Sequence, residues 1–417
     1  MPAYRDFVPR RSFQPTLALS PDAALVAYSS NVDGHFDLWA RPVAGGAARR
    51  LTRLHGQAVR RIAWAPDGKS LLFTADREGD EQYRLYRVGL DDEILEDIST
   101  GPECQRVLAA SPFSSDGRYL TYAANDRDST VQDIIVRDTA DDSERRFIPP
   151  PEVVFEPVGI SPDGRWLLTA GFRSNSDIAA YLIDLQESSE PVCVTVAFGD
   201  GLYEPGPWMT DSSGFYLITD AWGEFKVAAR YRIDDGTLEP IAQHEWDVEH
   251  IDAIDETVLW VVNRDGRSIL HATHQGEPLP LPDLPLGVVT ALALAPAAAP
   301  VVVLIDSATR PSEIAVLEPG TGVRYLTDTR PPALHVIDGI DPEPVTYTAF
   351  SGRRIHALLY RPNEPGPHPV VLSIHGGPEA QERPRHPDMR SITEAGEALS
   401  LHLSDRRSPS GPHLRAV

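Results

Sequence analysis

Short apolar runs alternate with polar turns along most of the chain, and the turns repeat. The clearest copy lies between Gly159 and Ala170, where the turn Ser161-Pro162-Asp163-Gly164 precedes the apolar run Trp166 to Thr169. Proline fixes φ at the second turn position, aspartate can bond to its own backbone, and glycine tolerates positive φ. The pattern therefore predicts a tight turn that leads into a buried strand.

Four further stretches repeat this turn and the apolar run after it. The turns are Ser20-Pro21-Asp22, Ala65-Pro66-Asp67-Gly68, Ser114-Ser115-Asp116-Gly117 and the more divergent Asp211-Ser212-Ser213-Gly214, and they lead into Leu25 to Tyr28, Leu71 to Thr74, Tyr119 to Tyr122 and Phe215 to Ile218. From Asp22 through Asp67, Asp116 and Asp163 to Ser213, the spacings are 45, 49, 47 and 50 residues. A period of this length, with several strands in each repeat, is typical of a β-propeller.

A second strand follows each first strand after a polar loop, as in an antiparallel sheet. These second strands are Phe36 to Trp39, Arg84 to Arg87, Asp133 to Val136, Ala180 to Ile183 and Ala229 to Arg232. Two more strand pairs lack the turn signature, namely Val258 to Val262 with Ser268 to His271 and Val301 to Ile305 with Glu313 to Leu317. Ala291 to Pro300 resembles a helix, but its two prolines and the period favour strand, turn and strand. We predict a mainly β protein with a seven-bladed β-propeller over residues 1–335, its blades running from about Phe13 to Thr327.

The pattern changes after Asp328 to Pro332, a segment that marks a domain boundary. Pro344 to Phe350 and Ile355 to Arg361 predict two strands around a Ser351-Gly352 turn. Pro369 to Ile374 is nearly all apolar, as in a strand buried on both faces of an α/β sheet. Residues 336–384 are therefore predicted to contain the first strands of a second domain.

Composition limits the partners and the compartment. A formal net charge of -23 over 417 residues argues against nucleic acid or an anionic membrane as a partner, and solubility is its simplest explanation. Cys104 and Cys193 fall in different repeats and predict no disulfide framework or cysteine metal site. The first residues lack the apolar core of a signal peptide, and no apolar run is long enough to span a bilayer. These features predict a soluble cytoplasmic protein.

The motif that carries chemistry is His375-Gly376-Gly377-Pro378, directly after the last apolar run. A histidine and paired glycines at the end of a buried strand resemble the loop that supplies a backbone N–H to the oxyanion hole of α/β-hydrolases. Glycine suits this place because the backbone must approach the developing oxyanion without a Cβ in between. A glycine turn with no chemical role is the alternative interpretation of these four residues.

Seven repeats, a boundary, two strands and then Ser373 to Glu379 together resemble the prolyl oligopeptidase family of serine peptidases, in particular its acylaminoacyl-peptidase and dipeptidyl-aminopeptidase branch. The resemblance extends from about Phe13 to Pro384. It implies a peptidase whose propeller covers the active site of an α/β-hydrolase domain and limits access to short peptides. His375, Gly376 and Gly377 match the family's oxyanion loop, and a glycine N–H there is the candidate oxyanion donor.

The rest of the family's machinery has no match in this sequence. The nucleophile of the family lies in a Gly-x-Ser-x-Gly elbow, followed by an aspartate and a histidine, and that motif does not occur in the 417 residues. Residues 385–417 are rich in arginine, serine and proline without a strand-like run, and at most Thr393 to Leu403 has a helical pattern. We predict that 385–417 is an aberrant, disordered tail, that a frameshift or a mis-assigned gene end near Arg385 explains it, and that the α/β-hydrolase domain is incomplete and inactive.

Other chemistry is weakly indicated. His244, Glu245, Glu249 and His250, or His271 with His274, do not have the spacing of a helical zinc motif, and they are predicted to be ordinary surface residues. The acidic loop 76–81 is a poor match to a calcium loop, so no metal or cofactor is predicted. The alternative to a peptidase is a non-catalytic propeller that binds a peptide or protein, for which an oxyanion loop has no use. The sequence does not predict an oligomeric state.

Overall fold

The computed structural model is almost entirely β-sheet. It describes residues 8–9, 11–187, 190–296, 300–318, 320–335, 339–352, 354–362, 365–375, 380–386 and 399–404. These residues contain no α-helix, and their short 3-10 helices include Val196–Phe198 and Pro332–His335. Strands β1 to β28 fall into consecutive groups of four, here called units 1 to 7, in which each strand pairs antiparallel with the next.

The strand bounds follow the predicted repeats. Unit 1 has β1 (Phe13–Leu19), β2 (Leu25–Ser30), β3 (Asp37–Pro42) and β4 (Arg49–Arg50); unit 2 has β5 (Gln57–Trp64), β6 (Ser70–Arg77), β7 (Arg84–Gly89) and β8 (Leu95–Asp97). Unit 3 has β9 (Arg106–Phe113), β10 (Tyr119–Ala124), β11 (Asp133–Asp138) and β12 (Glu144–Phe147); unit 4 has β13 (Val154–Ile160), β14 (Trp166–Ser174), β15 (Asp177–Asp184) and β16 (Val192–Cys193).

The remaining units repeat the arrangement. Unit 5 has β17 (Tyr203–Trp208), β18 (Gly214–Thr219), β19 (Val227–Arg232) and β20 (Leu238–Ala242); unit 6 has β21 (Val248–Ile254), β22 (Thr257–Arg264), β23 (Arg267–His274) and β24 (Glu277–Pro278). Unit 7 has β25 (Gly287–Leu294), β26 (Val301–Ser307), β27 (Arg310–Glu318) and β28 (Gly322–Tyr325). The two strands predicted for each repeat coincide with the second and third strands of each unit; the strand that precedes them, here called the first strand of the unit, was not identified individually.

The repeated turns have the geometry that their residue types predict. In unit 4 the Ser161 hydroxyl donates to Asp163 Oδ1 at 2.5 Å, and the Arg165 N–H donates to the same oxygen at 3.1 Å. Gly164 has a φ of 74°, where a side chain is unfavourable. The same serine–aspartate bond forms at Ser20 and Ser114, so the turn closes on itself in three units.

Buried apolar clusters lie between neighbouring units. Representative pairs are Leu38 and Phe73 for units 1 and 2, Leu85 and Leu120 for units 2 and 3, Ile134 and Phe155 for units 3 and 4, Leu168 and Phe215 for units 4 and 5, Ile218 and Trp260 for units 5 and 6, Leu259 and Val303 for units 6 and 7, and Leu304 and Tyr28 for units 7 and 1. Arg324 of unit 7 also donates to the Val43 carbonyl of unit 1 at 3.1 Å. Unit 7 therefore packs against unit 1.

Van der Waals contacts and hydrogen bonds link each repeated turn to the next. Gly68 faces Pro21, and Gly117 faces Pro66, both at 3.6 Å from the position that a Cβ would take. The Ser115 hydroxyl donates to the Pro162 carbonyl (3.1 Å), the Asp163 N–H to Ser212 Oγ (3.0 Å) and the Thr210 hydroxyl to the Asp255 carbonyl (2.6 Å). The turns of units 1 to 6 thus form a continuous line of contacts on one face of the domain.

Units 3 and 4 approach each other most closely at Gly159. This residue forms a parallel bridge with Ser111, which joins the two units into one eight-stranded sheet. A Cβ at Gly159 would lie only 2.7 Å from the Ser111 carbonyl oxygen, so glycine is required by the close approach. The indole of Trp208 in unit 5 adds a third connection, since its Nε1–H donates to the Gly159 carbonyl at 3.0 Å.

A second sheet follows the seven units. Its strands are β29 (Glu343–Thr348), β30 (Arg354–Tyr360), β31 (Val370–Ile374) and β32 (Leu399–Ser404), paired in the order β29-β30-β32-β31. His356 on β30 reaches unit 6, where its Nδ1 lies 2.9 Å from Asp265 Oδ1 and its ring makes an edge contact with Trp246. The three predicted strands between 344 and 374 are all present.

Two expectations about this part of the chain are wrong. The run that contains β31 was expected to be buried on both faces, but Val370, Leu372 and Ile374 are each more than half exposed, because no described element covers that face. Residues 393–403 were expected to form at most a short helix, whereas β32 is a strand; leucine alternates with polar residues from 399 to 404, which is the period of a strand. Apart from 385–386 and 399–404, the predicted disordered tail lies outside the described residues.

Two further observations concern the cysteines and the membrane-spanning potential of the described residues. Cys104 and Cys193, both among the described residues, carry free thiols, and Cys104 is buried between units 2 and 3. Within the described part of the chain, we find no helix with the length and apolarity needed to cross a lipid bilayer.

Candidate functional site

The first strands of all seven units surround a central space, which we call the central chamber. It comprises two adjoining cavities of about 650 and 350 Å³. Both are lined by Arg61, Ala110, Glu249, His250 and Leu292. A cleft of about 740 Å³ between units 2 and 3 is larger than either of these cavities alone, but it lies among the outer strands and turns of the two units. The chamber is the cavity to which all seven units contribute.

The chamber wall offers backbone as well as side-chain groups. Each first strand pairs with the second strand of its own unit along one edge, so the other edge is turned toward the chamber. Among the described strands, the parallel bridge between Gly159 and Ser111 joins two first strands directly. An unpaired strand edge presents N–H and C=O groups that match the backbone of an extended peptide.

The basic side chains of the wall are engaged in ion pairs. Arg61 donates to Glu156 with its Nη2 atom 2.6 Å from Oε1. Arg60 forms a two-point pair with the buried Asp76, at 2.9 and 2.8 Å. The two hydrogen bonds of Arg60 to Asp76 fix the plane of its guanidinium group.

Three other ionisable groups of the chamber wall have shifted pKa values. Glu204 and His250 are accessible from the chamber, yet protein surrounds them on the other sides, and Asp252 is half-buried beside them. Burial raises the pKa of Glu204 and lowers the pKa of His250, since both charged forms lose hydration. Burial also raises the pKa of Asp252 to about 6, against the opposing effect of the Ala253 N–H that bonds its carboxyl group. Asp252 therefore gains or loses its charge near pH 6.

His375, the first residue of the predicted oxyanion loop, lies where the sequence indicated. It follows β31 directly and is half-buried. Gly376 and Gly377 lie outside the described residues. The prediction for these three residues rests on the sequence motif and on the position of β31.

The chain is described again at residues 380–386, a segment that we call the strap. Arg383 donates from Nε to the Gly266 carbonyl (2.7 Å) and from Nη1 to Glu249 (3.0 Å). The His386 N–H donates to Asp306 Oδ1 at 2.8 Å. The strap, which comes five residues after His375, is therefore bound to units 6 and 7 and touches a residue of the chamber wall.

The histidines and acids weighed as metal ligands have other roles. Glu249 and His250 were expected at the surface, but they line the chamber, because β21 is a first strand rather than an outer one. His244 accepts a hydrogen bond from the Trp260 indole at 3.0 Å and stacks on His271, with ring centroids 4.7 Å apart. No group of three or more potential ligands within the described residues is arranged to hold a metal ion.

Sequence reasoning missed the chamber residues as a group. Arg61, Glu204 and Asp252 stand in first strands, which precede the repeated turns rather than follow them. The available signal was a charged residue within a predicted innermost strand, as in Val248-Glu249-His250-Ile251-Asp252. A charged side chain at such a position faces either the chamber or solvent. The arrangement of all the units determines which of the two it faces.

Taken together, the fold and the chamber define a propeller-like β domain with a ligand-sized central cavity, followed by a smaller sheet that carries His375. No protein-family model matches the chain. Over 123 residues, 29% of its length, the chain is 29% identical to dipeptidyl aminopeptidase BIII of Pseudoxanthomonas mexicana, and the match covers 18% of that protein.

Solved structures extend the likeness to nearly the whole chain. A prolyl endopeptidase matches with a TM-score of 0.74 and 14% identity, over 96% of this chain and 62% of that one. An acylaminoacyl peptidase in complex with Z-Gly-Gly-Phe-chloromethyl ketone matches with a TM-score of 0.69 and 14% identity, over 96% and 65%. The acylaminoacyl peptidase of Pyrococcus horikoshii matches with 0.69 and 13%, over 95% and 65%. At these identities the structural likeness shows the fold alone.

The partial sequence match and the shared fold support the resemblance to the prolyl oligopeptidase family that the sequence indicated. The chain spans less than two thirds of the length of each of these relatives. The activity, substrates and partners of a whole peptidase are therefore a matter for proposal.

Proposed function

We propose that units 1 to 7 form the closed seven-bladed propeller of an oligopeptidase, and that the sheet β29 to β32 is the first part of its α/β-hydrolase domain. The buried cluster that joins unit 7 to unit 1 through Leu304 and Tyr28 supports a closed ring. The position of His375 directly after β31 supports the hydrolase assignment, because the oxyanion loop of that fold follows a strand of the sheet.

The function that the site supports best is the admission and binding of short peptides for hydrolysis at the second domain. The observation that carries this proposal is the central chamber, whose wall combines unpaired strand edges with charged groups such as Arg61 and Glu204. Strand edges bind the peptide backbone irrespective of its side chains, and a narrow chamber excludes folded proteins. The free thiols of Cys104 and Cys193 agree with a cytoplasmic site of action, which is part of the same proposal.

In the hydrolase domain, His375, Gly376 and Gly377 are proposed to form the oxyanion loop. A backbone N–H of this loop would stabilise the negative charge that develops on the substrate carbonyl oxygen during acyl transfer. The nucleophile, acid and base have no matching motif in the 417 residues. We therefore expect this chain by itself to bind peptides without hydrolysing them.

Binding can be tested with a set of fluorescently labelled peptides of three to ten residues, followed by anisotropy. We expect Arg61→Gln to weaken binding about tenfold, because it removes a charged donor from the chamber wall. Arg230→Gln is the matched control: Arg230 is equally exposed and pairs with Glu239 at 2.7 Å, but it lies on β19, away from the chamber. Equal affinities of the two variants, or no binding by the unaltered chain, would contradict the proposal.

The expected lack of hydrolysis has its own measurement. The purified chain should not release anilide from an N-acyl amino acid anilide above background, because loss of a triad serine or histidine removes about a million-fold of the rate in a well-studied triad enzyme. A fluorophosphonate probe should label no serine stoichiometrically. Stoichiometric labelling that disappears when one serine is replaced would show a nucleophile that the motif search did not find.

A further inference from the structure

The strap at 380–386 is attached through a residue that also faces the central chamber. Glu249 lines both cavities of the chamber, and its carboxylate accepts a hydrogen bond from Arg383 Nη1 at 3.0 Å. The Glu249 side chain keeps about 29% of its surface exposed, whereas Arg383 keeps 15%. One end of this ion pair is therefore accessible from the chamber, and the other end is enclosed by the strap.

The ion pair is the centre of a small polar network. The Asn263 side-chain amide donates both to Glu249 Oε1 (2.6 Å) and to Gln381 Oε1 of the strap (2.8 Å). Arg383 Nε donates to the Gly266 carbonyl in the turn between β22 and β23, at 2.7 Å. Three of these four contacts join the strap to unit 6, and the fourth links Asn263 to Glu249 within unit 6; two of the four involve the Glu249 carboxylate.

Packing against the turn at Gly266 adds to these polar contacts. Pro384 is buried against the turn at Gly266, where a Cβ would come within 3.6 Å of its ring. Burial lowers the pKa of Arg383, which means that its charge depends on the partner carboxylate for stabilisation. When that carboxylate is neutralised or engaged by another cation, the buried guanidinium group is left without its compensating charge, and its hydration outside the strap site becomes favourable.

We propose that the Glu249–Arg383 pair is a displaceable latch: a cationic group bound in the central chamber competes for Glu249, and the strap then detaches from unit 6. The ligand class is a small cation or a peptide with a free amino or guanidinium group. This inference goes beyond peptide admission, since it assigns the chamber a second effect, on the chain segment five residues beyond His375. It holds for any cationic ligand, whether or not the chain is part of a peptidase.

Hydrogen–deuterium exchange followed by mass spectrometry tests the latch on the full chain. The backbone N–H groups of Arg385 and His386 are hydrogen-bonded in the attached strap, to the Arg383 carbonyl and to Asp306. Glu249→Gln keeps an acceptor for Asn263 but removes the charge, and Arg383→Gln removes the other half of the pair. We expect each variant to speed exchange in the strap about tenfold, the factor that a charge-assisted hydrogen bond typically contributes. Glu239→Gln, which breaks the exposed pair with Arg230, is the control and should leave the strap unchanged.

The second arm uses methylguanidinium chloride as the probe and sodium chloride at the same concentration as the reference. In the unaltered chain the probe should speed exchange in the strap more than the salt does, and in Glu249→Gln the two should be equal. The proposal is overturned if the two variants leave strap exchange unchanged, or if the probe and the salt have equal effects on the unaltered chain. Because no peptide is involved, a failure here is distinguishable from a failure of peptide binding.

Discussion

Because the pKa of Asp252 is raised in the chamber wall, the free energy of unfolding should depend on pH. Its carboxyl group is half-buried on β21 and accepts a hydrogen bond from the Ala253 N–H at 2.8 Å, while burial raises its pKa from 3.8 to about 6. Asp252→Asn removes the ionisation and keeps an oxygen acceptor of the same shape. We expect this variant to be more stable than the unaltered protein at neutral and higher pH.

The sign follows from proton binding. The folded state holds the Asp252 proton more tightly than the unfolded state, so the favourable contribution of the protonated group is complete below pH 3.8 and is lost as the pH rises through about 6. The difference between the two pKa values corresponds to at most about 3 kcal/mol at pH 8. Water in the chamber reduces this value, so we expect a gain of about 1–2 kcal/mol for Asp252→Asn at pH 8 and roughly half of that at pH 5.

Urea unfolding followed by tryptophan fluorescence at several pH values between 5 and 8 measures this gain. Asp91→Asn, at an exposed position on unit 2, is the control and should show no gain that grows with pH. The reasoning would be refuted if Asp252→Asn were less stable than the unaltered protein at pH 8, or if its advantage were the same at pH 5 and pH 8.

Three further predictions concern the contacts between units. Gly159→Ala should lower the free energy of unfolding by about 1–3 kcal/mol, because its Cβ would lie 2.7 Å from the Ser111 carbonyl oxygen; an unchanged melting temperature would contradict this. Trp208→Phe should cost about 1 kcal/mol through loss of its bond to the Gly159 carbonyl, whereas Trp222→Phe, at an exposed site, should cost little; equal costs in urea unfolding would count against the indole bond. Leu304→Ala should cost about 2–5 kcal/mol because Leu304 is buried between units 7 and 1, and a cost below 1 kcal/mol would mean that this junction contributes little to stability.

The second and third strands of the units could be predicted because, in units 1 to 5, two local signals coincide. The turn residues fix where the chain reverses, and the apolar run after the turn must be buried. Units 6 and 7 lack the turn signature, yet Val258 to Val262 and Val301 to Ile305 are apolar enough to identify β22 and β26 without it. The local sequence was therefore sufficient to identify a strand wherever consecutive residues of that strand are buried.

Neither the chamber nor β32 could be predicted from the sequence, and the reasons differ. Whether Glu204 or His250 faces a cavity or solvent depends on how all the units are arranged, which no local pattern encodes. Strand β32 stands in a segment with a polar, proline-rich composition, and its six residues were too short a run to stand out. The exposure of Leu372 on β31 depends on which elements cover the second sheet, which is likewise a property of the tertiary structure.

The line of turn contacts on one face restricts the lengths of the loops on that face. The connections from first to second strand in units 1 to 5 cover residues 20–24, 65–69, 114–118, 161–165 and 209–213, all of one length. The connections from second to third strand, on the opposite face, cover 31–36, 78–83, 125–132, 175–176, 220–226, 265–266 and 308–309, and their lengths differ widely. An insertion in a turn that touches its neighbour would separate two units, whereas the opposite face can accept insertions. That opposite face also holds Asp265, the contact with the second sheet, so variation in loop length is concentrated where the two parts of the chain meet.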